Sequence, residues 1–192
     1  PAENVDGPGV WIVIKLVGAP PFRAVNREAS QMGASAPGKR VAPQEIRTFF
    51  VSATAWGRRS IFQTEQMAQL FLDVLRENRE KKRFELHEFV VMPNHFHVLM
   101  TPGEEISLEK CVQYIKGGFS FRAKKELGFA GEIWQAGYNE HRVKDVSDYQ
   151  QHVRYIHENP VRSRICVSPR EYEYSSASGK HEVDAVPKNL RG

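Results

Sequence analysis

The chain has 192 residues, 41% of them hydrophobic and 26% charged, with a formal net charge of +4. This composition excludes a disordered or fibrous protein and predicts one folded domain, while the small positive charge favours a polyanionic partner. No apolar run reaches the roughly 18 residues of a membrane span. Cys111 and Cys166 lack zinc-ribbon spacing and indicate a reducing, cytoplasmic setting.

Breaker residues divide the chain into three parts. Residues 1–44 are rich in glycine and proline and show little periodicity, which predicts a flexible or loosely docked extension. The compact domain is expected over residues 45–178. Residues 179–192 form a polar tail, and fraying is expected after Ser175.

The first half of this domain shows one strand, one helix and two more strands. Residues 46–55 are β-branched and aromatic, which predicts a strand. Thr64 is a candidate N-cap for an amphipathic helix that runs to about residue 80. Residues 89–100, FVVMPNHFHVLM, read as strand, turn and strand.

The second half is mainly helical. Ser107 is a candidate cap for a helix to about residue 127, and Asp148 opens a further helix to residue 159, where Pro160 ends it. A short strand is expected between the two helices. This order of elements predicts an α+β fold, with an antiparallel sheet and helices on one face.

The histidine pair, His95 and His97, is the strongest chemical signal. Side chains two apart on a strand point to the same face, so both imidazoles can converge on one ion while Phe96 faces a core. Convergent imidazoles form half of a metal site. The alternative is a pair of strand histidines without a metal.

The last helix offers complementary groups. Tyr155 and Asn159 are four residues apart and share a helical face. A tyrosine hydroxyl beside a divalent cation is a candidate nucleophile, and an asparagine oxygen suits a hard ion such as Mg²⁺ or Mn²⁺. The alternatives are a core tyrosine and an asparagine that ends a helix. His157 lies off the Tyr155 face and is expected to be exposed.

Clustered cations are candidates for contact with a nucleic acid, because phosphate neutralisation and stacking on aromatic rings hold single strands. A solvated helix face is the alternative for the residues of the second helix. The candidates lie beside Trp56, on the second helix and after the last helix: Arg58, Arg59, Lys116, Arg122, Lys124, Lys125, Arg162 and Arg164.

These motifs together resemble a known family. The histidine pair joined to YIHENPV at residues 155–161 resembles the HUH single-strand transposases, most closely the REP-associated tyrosine transposases. The similarity extends over residues 45–178 and includes WGRR at 56–59 and YNEH at 138–141. The last two residues of that stretch, Glu140 and His141, are interpreted as a solvated pair.

The resemblance implies an antiparallel sheet with helices packed on its faces, and a specific reaction. His95 and His97 would bind a divalent metal, Mg²⁺ or Mn²⁺, that polarises the scissile phosphate. Tyr155 would form a 5′-phosphotyrosine. Asn159 would complete the metal site where insertion-sequence relatives use glutamine, which has a longer arm.

The resemblance also implies the partner and the setting. Hairpin-forming palindromic repeats in single-stranded DNA would be the substrate, for a monomer or homodimer at the nucleoid and not at a membrane. Two alternatives stay open: an insertion-sequence transposase that acts as a dimer, and a catalytically silent module that binds hairpin DNA or RNA.

Overall fold

The computed structural model describes residues 23–24 and 47–191, so most of the predicted extension over residues 1–44 lies outside the described residues. Within the described part, no helix is both long and apolar enough to cross a membrane. The strands are β1 (Arg23–Ala24), β2 (Phe49–Thr54), β3 (Phe84–Met92), β4 (His95–Pro102) and β5 (Asn139–Arg142). The α-helices are α1 (Glu65–Glu80), α2 (Leu108–Leu127) and α3 (Val146–Arg162).

The described strands form one antiparallel sheet in the order β1-β5-β2-β4-β3. The hairpin of β3 and β4 arises from two β-rich runs joined by a two-residue turn. β5 returns from α2 to pair with the other side of β2. This arrangement confirms the α+β fold and the antiparallel sheet.

Alternate side chains of the central strands face two different apolar layers. Phe96, Val98 and Met100 of β4 pack with α1 and α2, whereas Leu99 packs with Ile156 of α3 on the opposite face. The expectation from element order, helices on one face only, is therefore wrong. The sheet carries apolar side chains on both faces, and both must be covered, as the resemblance implied.

A β-bulge in β3 changes which of its side chains face each layer. The register with β4 shifts by one residue between Leu86 and Glu88. As a result, Leu86 and Phe89 face the same core although they are three residues apart. His87 is the extra residue; it is buried, and its Nε2 lies 2.8 Å from Thr101 Oγ1.

α3 is longer than predicted at both ends. It begins two residues before Asp148, because the Asp145 side chain caps it by accepting the Asp148 N–H at 2.9 Å. It continues past Pro160, the residue predicted to end it, as far as Arg162. Proline in the last turn removes only its own N–H, and the Ser163 N–H still donates to a carbonyl of that turn at 3.0 Å.

The segment after Ser175, predicted to be frayed, lies against the sheet. Ser175 is buried and bridges to Val90. The Asp184 carboxylate pairs with Arg79 of α1 at 3.0 Å, and the Asp184 N–H donates to the Leu86 carbonyl at 2.7 Å. Polar residues predicted disorder here, but their ion pairs and backbone hydrogen bonds hold the segment in place.

Phe71→Ala is expected to lower the free energy of unfolding by about 3 to 5 kcal/mol, the usual cost of a large cavity. Phe71 is fully buried, and its ring contacts those of Phe62, Phe96, Phe119 and Trp134. Urea unfolding followed by circular dichroism measures the change. Phe121→Ala is the matched control, because Phe121 is 65% exposed; its effect should stay within about 0.5 kcal/mol. Equal losses would contradict this packing.

Candidate functional site

The histidine pair lies at the start of β4, on the face that α3 covers. Its ring centroids are 4.8 Å apart, and Phe96 between them is fully buried in the opposite core. His95 Nδ1 donates to Asn94 Oδ1 at 2.6 Å, since an amide oxygen can only accept. The other ring nitrogen of His95, Nε2, is therefore the one with a lone pair in the neutral ring.

The surroundings keep both imidazoles neutral. Burial, and then the positive charge of Arg58, lowers the pKa of His95 to about 4. Burial, and then His95 and His152, lowers the pKa of His97 well below its ordinary value. His97 is buried, and neither of its ring nitrogens has a hydrogen-bond partner among the described residues. Neutral imidazoles with available lone pairs are the form that binds a metal ion, so the pair fits a divalent cation.

Tyr155 lies beside this pair. Its ring meets the His97 ring edge-on, with the centroids 5.1 Å apart. Phe50 of β2 supports both rings, stacking on His97 at 5.3 Å and meeting Tyr155 edge-on at 5.8 Å. Ile156, the next residue on α3, is fully buried and anchors the helix to the sheet. The structure thus brings together His95, His97 and Tyr155, which are about 60 residues apart in the sequence.

Asn159 lies one turn further along α3 and is buried. The spacing of four residues puts it on the same side of the helix as Tyr155. A buried amide one helical turn from Tyr155 is compatible with a third oxygen ligand. That role for Asn159 stays a prediction, as do the metal-binding and nucleophilic roles of the other three residues.

Three of the predicted DNA-binding cations are bound within the protein. Lys116 Nζ donates to the carbonyls of Gln135 at 3.1 Å and Gly137 at 2.6 Å, and burial lowers its pKa. Arg122 pairs with Glu77 and Glu126, and Arg59 donates to the carbonyls of Trp56 and Glu132. These bonds connect loops and helices within the protein. They count against phosphate contact by Lys116 and Arg122, whereas Arg59 is exposed.

The other five cations are exposed: Arg58, Lys124, Lys125, Arg162 and Arg164. Arg58 lies close enough to the histidine pair for its charge to lower the pKa of His95. Lys125 lies over the exposed ring of Phe121, with Nζ 5.6 Å from the ring centroid. Arg162 is the last residue of α3, and Arg164 lies just beyond it. Their contact with DNA stays a prediction.

A second group of titratable side chains, which the sequence reasoning missed, joins β5 to α3. This β5–α3 cluster consists of His141, Asp148 and His152. His141 Nε2 donates to the side-chain Oδ2 of Asp148 at 2.8 Å, and His152 Nδ1 donates to the main-chain carbonyl of Asp148 at 2.8 Å. The two imidazole rings stack with centroids 4.8 Å apart. His141 is therefore not the solvated residue that the sequence suggested.

Burial and hydrogen bonding set the charges of the β5–α3 cluster. Burial raises the pKa of Asp148, but hydrogen bonds from His141 and from the Lys144 N–H outweigh it and leave that pKa below its ordinary value. Burial lowers the pKa of His152. The spacing of Asp148 and His152, four apart on one helix, was the only signal of this cluster in the sequence.

His157 also differs from expectation. The sequence predicted an exposed side chain, but its Nε2 lies 2.8 Å from Glu88 Oε2 and the ring is half-buried. This contact ties α3 to β3 on the side of the helix away from Tyr155.

Comparisons with known proteins show which family this chain is similar to. The family described as "Transposase IS200 like" matches residues 50–159, a range that includes the histidine pair, Tyr155 and Asn159. A REP-associated tyrosine transposase of Escherichia coli (strain K12) is 29% identical over 153 residues, which are 73% of this chain and 89% of that protein. A solved structure of a REP-associated tyrosine transposase bound to a REP hairpin has a similar fold, with a TM-score of 0.60 and 24% identity over 82% of this chain and 95% of that one.

The free energy of unfolding of the metal-free protein is expected to fall as the pH drops from about 6.5 to about 4. His95 takes up a proton at its ordinary pKa of 6.5 in the unfolded chain, but only near 4 in the folded chain. Acid therefore favours the unfolded state over this window. Urea unfolding across the range, in the presence of a chelator, measures the slope. His95→Gln should make it shallower, and an unchanged slope in that variant would refute the assignment.

His97→Leu is expected to raise the free energy of unfolding of the metal-free protein by about 1 kcal/mol, because it removes two buried nitrogens that have no hydrogen-bond partner within the described part of the chain. His87→Leu is the matched control. His87 is also buried, but its ring nitrogens lie 2.8 Å from Thr101 Oγ1 and 3.4 Å from the Asp184 carbonyl. That variant should lose about 1 to 3 kcal/mol. Chelator-treated samples in urea give both values; equal losses would show that His97 is satisfied.

Proposed function

This chain belongs to the IS200-like transposase family, and from that premise we propose that it cleaves and rejoins single-stranded DNA with Tyr155 as the nucleophile. The observation that carries the proposal is the position of the Tyr155 ring, edge-on to His97 and supported by Phe50. A tyrosine nucleophile needs an activated phosphate within reach, and a metal ion held by the histidine pair would activate the phosphate of the DNA.

The proposed reaction exchanges one phosphoester for another. Tyr155 Oη bonds to phosphorus as the bond from phosphorus to the 3′ oxygen breaks. The phenolic proton leaves Oη, and the departing 3′ oxygen takes up a proton. The products are a 5′-phosphotyrosine and a free 3′-hydroxyl. The reverse attack by a 3′-hydroxyl of another strand releases Tyr155 and joins the DNA.

The residues that would hold the metal fit it by donor type. His95 offers Nε2, since Nδ1 is bonded to Asn94, and His97 offers a buried nitrogen that has no other partner among residues 47–191. Asn159 is the proposed third ligand, through its amide oxygen. When bound, Mg²⁺ or Mn²⁺ supplies Lewis-acid polarisation of the scissile phosphate. Phe50 orients His97 and Tyr155 relative to each other through its contacts with both rings.

Hairpin-forming repeats are the proposed substrate. The E. coli relative is named for REP elements and the similar structure contains a REP hairpin, and this chain spans most of the length of both. Arg58 beside the histidine pair and Arg162 at the end of α3 are the proposed phosphate contacts nearest the reaction. Phe121 with Lys125 offers an exposed ring and a cation for stacking against unpaired bases.

Incubation with labelled single-stranded hairpin DNA and Mn²⁺ tests the proposal, with a denaturing gel to detect a covalent adduct. Tyr155→Phe is expected to abolish the adduct. Tyr149→Phe is the matched control on the same helix, because burial, and then Glu88, raises the pKa of that hydroxyl to about 12. It should retain the adduct. An equal adduct in wild type and Tyr155→Phe would place the nucleophile elsewhere.

Hairpin binding separates catalysis from recognition. His95→Ala should abolish the adduct while hairpin affinity in a gel-shift assay changes little, because many cations share the phosphate contacts. Joint loss of binding and cleavage in this variant would mean that the histidine pair is structural. A wild-type protein that binds the hairpin but forms no adduct would be a silent binding module.

A further inference from the structure

We infer that the β5–α3 cluster is a second metal site, which takes a divalent transition metal of the Zn²⁺ class. His141, Asp148 and His152 each offer one ligand atom, and these atoms lie within 4.8 Å of one another. Among the described residues, no other group of three or more His, Cys, Asp or Glu side chains meets this arrangement. The inference does not depend on the proposed reaction.

The backbone positions these ligands without distortion. Asp148 and His152 are four residues apart on α3, the spacing that aligns two side chains on one helical face and that helical zinc motifs use. His141 reaches them from β5, which packs next to the start of the helix. Their side chains are 13%, 6% and 10% exposed, in the order Asp148, His152 and His141. The site is thus largely shielded from water.

The donor set of the β5–α3 cluster suits a transition metal. His141 Nε2 lies 2.8 Å from one carboxylate oxygen of Asp148, and His152 Nδ1 lies 3.2 Å from the other. Two imidazole nitrogens and one carboxylate form a ligand set that Zn²⁺ and its neighbours take in proteins. A bound cation would replace the proton on His141 Nε2, which now donates to the carboxylate, and the proton on His152 Nδ1, which now donates to the main-chain carbonyl of Asp148 beside that carboxylate. Each imidazole would shift its proton to its other nitrogen and stay neutral.

Phe50 separates this site from the histidine pair. Its ring centroid is 4.6 Å from that of His152 and 5.3 Å from that of His97. An ion in the β5–α3 cluster would join the sheet to the first turns of the helix that carries Tyr155, three residues beyond His152. Its expected role is therefore to hold that helix against the sheet rather than to contact DNA.

Zn²⁺ titration of the chelator-treated full chain tests this site by calorimetry. The double variant His95→Ala/His97→Ala removes the histidine pair, so any ion it binds must lie elsewhere. We expect it to bind one equivalent of Zn²⁺ and to melt at a higher temperature with Zn²⁺ present. Adding Asp148→Asn should weaken that binding at least about tenfold and remove the thermal shift.

Two further variants in the same background guard against misfolding and non-specific binding. His141→Gln alters the cluster from β5 and should weaken Zn²⁺ binding as Asp148→Asn does. His157→Ala is the matched control on α3 and should leave binding unchanged. The inference is overturned if the double variant binds no Zn²⁺, or if folded His141→Gln binds it as tightly as the double variant. The cluster would then be a hydrogen-bonded network only.

Discussion

The burial of Phe96 is the constraint on which the chemistry of this protein depends. Its ring lies in the core with those of Phe71 and Trp134, and this packing fixes which face the first side chains of β4 point to. Because neighbouring side chains of a strand point to opposite faces, His95 and His97 must then face α3. The apolar core on one side of the sheet thus positions polar groups on the other. The energy that orients the imidazoles comes from hydrophobic packing, which is insensitive to the substrate.

Phe50 performs the corresponding task on the α3 side. This fully buried ring contacts His97, Tyr155 and His152, so it packs between the histidine pair and two side chains of α3. An apolar ring between polar groups excludes water from their contacts and restricts their rotamers. The candidate nucleophile therefore lies on a helix that packs against the sheet, while its own side chain stays partly exposed.

Local patterns predicted much of the fold and of the site, because they depend on residues close in the sequence. The alternation around Phe96 predicted the shared face of the histidine pair, and Ser107 was correctly identified as the cap of α2. Features that depend on tertiary neighbours were missed. His141 contacts Asp148 only because β5 pairs with β2. Lys116 is held by hydrogen bonds to main-chain carbonyls about 20 residues away. The partners of His141 and Lys116 cannot be identified from sequence spacing, because both contacts depend on how distant segments pack together.

The bulge at His87 shifts the alternation of side chains along β3 by one residue. Residues before and after it keep their own alternation, and the extra residue alone makes both halves place hydrophobic side chains in the same core. Insertion or deletion of a single residue in this strand would exchange inner and outer faces on one side of the change. We therefore expect related proteins to differ in the length of β3 only at its ends. Substitutions that keep the length of the strand should be tolerated more readily.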